Sequence, residues 1–97
     1  MSHYVAIVED AGPDKAVGVW FPDLPGCFSA GDTLDEAIKN AGEAIAEYAA
    51  VLERDGRSLP APSMLSALRN DPRFGSDIRA NMVALISLPE PVSTAAE

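Results

Sequence analysis

Hydrophobic and polar positions alternate with a period of two in the first part of this chain. Residues Tyr4 to Val8, YVAIV, form one apolar run, and Ala16 to Phe21, AVGVWF, form a second. Between them lies EDAGPDK, whose Gly-Pro pair and flanking acids predict a hairpin. The period puts Val5 and Ile7 on one face of the first strand. It puts Val17, Val19 and Phe21 on one face of the second, with Trp20 on the other. Pro22 and Pro25 cannot donate to a β-ladder, so the strand ends in a PDLPG corner. Gly26 permits a backbone angle there that other residues resist. The short run CFSA, Cys27 to Ala30, predicts a third strand.

After Thr33 the period changes to that of a helix. TLDE, Thr33 to Glu36, is a capping box: the Thr33 hydroxyl accepts from the Glu36 N–H, and the Glu36 side chain reaches back to the Thr33 N–H. Leu34, Ile38, Ala41, Ile45, Tyr48 and Leu52 then recur at spacings of four and three, which is one helix face. Ala37, Ala44 and Val51 widen that stripe, and Asp35, Lys39, Glu43, Glu47 and Arg54 lie off it. The helix is predicted to end near Asp55. RSLPAPS reads as a proline-punctuated crossing, with Ser63 capping a shorter helix, MLSALRN, stopped by Asp71-Pro72. NMVALISL, residues 81–88, reads as a last strand. The predicted class is α+β: a small antiparallel or mixed sheet in the order β-β-β-α-(α)-β with helices on one face, the long helix foremost. Residues 1–88 form the domain, and 89–97, PEPVSTAAE, a flexible acidic tail.

Both faces of the first strand are apolar, because Val5 and Ile7 alternate with Tyr4, Ala6 and Val8. Trp20 likewise opposes Val19 and Phe21. Helices on one face leave the other to be covered, and a second copy is the simplest cover, so at least a homodimer is expected, with the first two strands or the last near the interface.

Charge narrows the partners. Over 97 residues, 7 Lys and Arg face 15 Asp and Glu, a net charge of −8. Such a chain repels phosphates through its bulk field and attracts a basic protein. Cys27 is the only cysteine, so no internal disulfide is expected, in keeping with the cytoplasm. No run approaches a membrane span, and no basic, apolar leader opens the sequence.

Chemistry-bearing residues are sparse. His3 is the only histidine and has no sequence-placed nucleophile beside it. One Cys and one His cannot build a structural zinc site, and Cys27 reads as a small buried apolar group. Glu9, Asp10 and Asp14 cluster in the hairpin turn. A metal-dependent nuclease would need several convergent carboxylates, and no such constellation is placed by the sequence. The cations are scattered, with Asp71 and Asp77 interrupting Arg69, Arg73 and Arg79. No catalytic, metal or cofactor site is expected. The residues expected to meet a partner are those of the corner and its flanks: Trp20, Pro22, Asp23, Leu24, Pro25 and Phe28.

Four separated motifs stand in a recognisable order: FPDLPGC at Phe21–Cys27, GDTLDEA at Gly31–Ala37, the alanine-spaced helix around Ala41–Ala49, and DGRSLPAPS at Asp55–Ser63. In this order and spacing the first two-thirds of the chain resembles the HicB antitoxin family. The resemblance implies a partial ribonuclease-H-like fold without that enzyme's active site. It further implies dimers or tetramers, and an antitoxin that neutralises a small, basic, mRNA-cleaving HicA-like toxin by covering its active site. Many family members continue into a ribbon-helix-helix or helix-turn-helix segment that binds their own promoter. No such segment is seen after residues 81–88, so autoregulation by direct DNA contact is a competing expectation that this sequence does not carry, as is a small metal-dependent nuclease.

Overall fold

The computed structural model describes residues 3–88, and the tail expected over 89–97 lies outside them. The elements are β1 (His3–Asp10), β2 (Val17–Trp20), β3 (Phe28–Gly31), α1 (Leu34–Arg54), α2 (Leu65–Arg69), α3 (Gly75–Ala80) and β4 (Met82–Ser87). The four strands form one sheet in the order β3-β2-β1-β4, antiparallel throughout.

Register explains the two cores. Val8 opposes Val19 and Met82, while Ile7 opposes Trp20 and Val83. Tyr4, Ala6, Val8, Val17 and Val19 therefore share one face, where they pack with Phe21, Leu24 and the α1 stripe Ala37, Ala41 and Ile45. Val5 and Ile7 share the other face, where they pack against Leu68 of α2 and Ile78 of α3, with Trp20, Leu65, Phe74 and Val83 around them. Helices thus cover both faces, not one. The apolar reverse of β1 is covered by the chain's own α2 and α3, so the cover expected from a second copy comes here from within the chain.

Two local expectations also change. The Thr33 hydroxyl does accept from the Glu36 N–H, at 3.1 Å, but the Glu36 carboxylate reaches past Thr33 to the Asp32 N–H, at 2.6 Å. Ser63 does not cap α2. The residue at that position is Met64, without a side-chain cap bond, and Ser63 is turned to another partner described below. Helix α3 was not anticipated: GSDIRA is 6 residues long, too short to show an apolar stripe.

Candidate partner-binding site

The corner is built on a buried plug. Phe21, Leu24 and Cys27 are 2%, 0% and 4% exposed and anchor it to the α1-side core. The Leu24 N–H donates to the Phe21 carbonyl at 3.2 Å, and the Cys27 N–H to the Leu24 carbonyl at 3.0 Å, so two turns follow in succession. Gly26 completes the second with φ 86°, a left-handed angle that makes glycine the low-strain choice.

Two distant segments clamp this corner. Both Asp23 carboxylate oxygens are engaged by Ser63: Oδ2 accepts from its N–H at 2.6 Å and Oδ1 from its hydroxyl at 2.7 Å. The Tyr48 hydroxyl of α1 donates to the Pro25 carbonyl at 2.9 Å. Nearby, the buried Tyr4 hydroxyl donates to the Pro60 carbonyl. Burial, with a smaller contribution from the Asp23 charge, pushes the Tyr4 phenol above its ordinary value. PDLPG and PAPS, far apart in sequence, therefore form one rigid unit.

The structure gives the six residues expected to meet a partner four separate environments. Pro22 and Leu24 are buried beneath the corner. Their side chains are part of the core and offer no surface. Asp23 is committed to Ser63. Trp20 is half-buried on the α2/α3 side, its Nε1–H donating to Glu9 Oε2 at 2.7 Å and its ring 6.2 Å from that of Phe74. Pro25 and Phe28 reach solvent, Phe28 being 70% exposed.

Phe28 is not isolated. Gly26, Cys27 and Phe28 form one wall of a cleft of about 250 Å³, and Ala44, Glu47, Tyr48 and Val51 of α1 form the other. Val51, expected to widen the buried stripe, is 48% exposed at this cleft. The exposed carboxylate of Glu47 lines the cleft, and Glu43, also exposed, lies one helical turn before it. Val51, Glu47 and Tyr48 were legible only as helix positions. Nothing in their spacing signals that β3 begins beside them.

The arrangement lacks the parts of a catalytic centre. Burial pushes the Cys27 thiol above its ordinary value, opposing the thiolate form that a nucleophile needs. Glu9 is held by Trp20, and Asp10 Oδ1 accepts from the Gly12 N–H at 3.2 Å. Among the described residues no group of three or more His, Cys, Asp or Glu side chains stands ready to hold a metal. Among them, too, no helix is long and apolar enough to cross a membrane. An exposed aromatic, an apolar cleft and a carboxylate rim stand together as one surface module on a clamped corner.

Comparison with known proteins gives that module a family. The family model for the HicB-like antitoxin of bacterial toxin–antitoxin systems matches residues 4–93, and the chain belongs to this family. It is an antitoxin-family protein. It is 39% identical over 71 residues to a 14.9 kDa protein of the rep–hol intergenic region of Haemophilus phage HP1, covering 73% of this chain and 52% of that one. The chain thus spans about half the length of that relative. The structure is similar to the Burkholderia pseudomallei antitoxin HicB, with TM-score 0.74 and 28% identity over 97% of this chain and 74% of the other. It is also similar to a chain of the HicA3–HicB3 toxin–antitoxin complex, with TM-score 0.69 and 27% identity over 91% of this chain and 99% of that one.

Proposed function

We propose that this chain binds a HicA-like, mRNA-cleaving toxin and neutralises it by covering the toxin's active site. The observation that carries the proposal is the family match over residues 4–93. The similar chain in the HicA3–HicB3 complex supports a partner of that kind. The net charge of −8 speeds encounter with a basic protein. The clamped corner supplies a rigid platform, so little conformational freedom is lost on binding. Of the corner residues, Pro25 and Phe28 are the ones with surface to give, and Trp20, half-buried beside Phe28 in the β-ladder, contributes less. The protein acts in the cytoplasm, where the mRNA is, and it acts as a homodimer or higher oligomer.

Co-expression tests this reading. A HicA-like toxin, sought in the neighbouring reading frame, is induced in a host that it arrests, and this chain is induced from a second promoter. Growth is expected to resume. Persistent arrest, with both proteins visible on a gel, would overturn the assignment.

A further inference from the structure

We propose that the cleft between the start of β3 and α1 is the seat of the basic toxin, with Phe28 and Val51 as apolar anchors and Glu47 and Glu43 as the charged rim. This rests on the antitoxin reading above and names the surface that performs it. The cleft brings together two of the large apolar side chains that the described residues leave exposed, Phe28 at 70% and Val51 at 48%. Its lining is short and smooth, since Gly26 and Ala44 carry little or no side chain and Cys27 is buried. A partner side chain entering a space of about 250 Å³ meets apolar walls below and a carboxylate at the edge. An aliphatic stem ending in a cation, as in lysine or arginine, has that shape and charge.

Charge complementarity decides the occupant. The exposed outer flank of α1 beside the cleft presents Glu43 and Glu47, and the chain's excess of 15 acids over 7 bases makes a second copy a poor guest there. A basic protein gains at both steps: its approach is steered, and its cations find partners at a partly dehydrated rim. The walls are also held in place. The Tyr48 hydroxyl fixes the Pro25 carbonyl at 2.9 Å, and Ser63 fixes Asp23 on the far side of the corner. Aromatic anchors in a preorganised cleft are where binding energy concentrates at interfaces.

The test measures binding of the purified toxin, in its catalytically inactive form, to the full chain and its variants. Phe28→Ser and Val51→Ser are each expected to weaken binding by about tenfold or more. The double change Glu43→Lys and Glu47→Lys is expected to slow association by about tenfold at low salt and to flatten its salt dependence. Met64→Ser removes an exposed side chain that does not line the cleft, 74% exposed, and is expected to leave affinity within about twofold. Circular dichroism melts confirm that each variant is folded. A photo-crosslinking residue in place of Glu47 gives a second readout that needs no loss of affinity, and an adduct with the toxin is expected. If the wild-type chain binds the toxin and the cleft variants bind equally well without a crosslink, the cleft is wrong and the antitoxin reading stands. If the wild-type chain does not bind the toxin, both fail.

Discussion

At the scale of single residues, the most informative contact is the one between Asp23 and Ser63. A serine just before an apolar run is a general helix-start signal, and the sequence shows nothing to redirect it. The competing acceptor stands 40 residues away, and only the fold brings it near. Thr33, whose partner is three residues on, was legible for the opposite reason. Removing the carboxylate by Asp23→Ala leaves two donors without a charged acceptor. The expected cost is about 1–3 kcal/mol, read from chemical denaturation. Asp23→Asn is expected to recover part of it, because one amide oxygen still accepts. Gly31 makes a different demand. A Cβ there would stand 2.5 Å from the Ala37 backbone nitrogen and 2.9 Å from the Glu36 carbonyl carbon, atoms that cannot swing aside. Gly31→Ala is therefore expected to push β3 and the start of α1 apart and to lower Tm clearly.

At the scale of elements, the two helical layers differ in how far the sequence announces them. Helix α1 has 21 residues and a repeating stripe, and its face could be assigned by counting. Helices α2 and α3 have 5 and 6 residues, fewer than two turns each. Neither shows a period, and their role follows only from the reverse face of β1, whose Val5 and Ile7 need cover. Their contribution is testable. Ile78 is 6% exposed against Ile7, which is fully buried. Ile78→Ala is expected to cost about 2–4 kcal/mol and to increase binding of a hydrophobic dye as the reverse face opens. The layers also set an alkaline limit. Cys27 and Tyr4 both have folded pKa values raised above the ordinary 9.0 and 10.0. The fold holds these protons more tightly than the unfolded chain does. Their stabilising effect is complete below the ordinary values and is lost as pH rises through the raised ones. Tm is expected to hold up to about pH 9 and to fall above it, and Cys27→Ala is expected to remove the earlier part of that fall.

At the scale of the whole molecule, the question is how copies assemble once the reverse face of β1 is covered from within. The strand order leaves two edges, β3 and β4. The β3 edge has 4 residues and adjoins the acidic cleft. The β4 edge has 6 residues, MVALIS, with no charge and no proline. Leu85 and Met82 are 61% and 47% exposed on it and, being three apart, face opposite sides of the sheet. An apolar edge that no other described strand pairs with is a template for another strand. A second β4 fits it best, since antiparallel pairing of two identical strands closes under two-fold symmetry. It also brings together a strand without charge, which adds nothing to the repulsion between two chains of charge −8. A groove of about 840 Å³ continues from this edge, between Tyr4 and Leu88 on one side and Ala46, Ala49 and Ala50 of α1 on the other. Backbone pairing can therefore be supplemented by side-chain burial, which a stable interface of over 1,000 Å² or so requires. The expected result is a dimer mass by light scattering at micromolar concentration, with the toxin clefts at the far edges of a joined sheet. Leu85→Lys puts a cation on each of the two pairing strands and is expected to give a folded monomer that still binds toxin. A dimer that survives this change would move the interface away from β4. A wild-type monomer at every concentration would leave the edge without a second copy and refute the pairing.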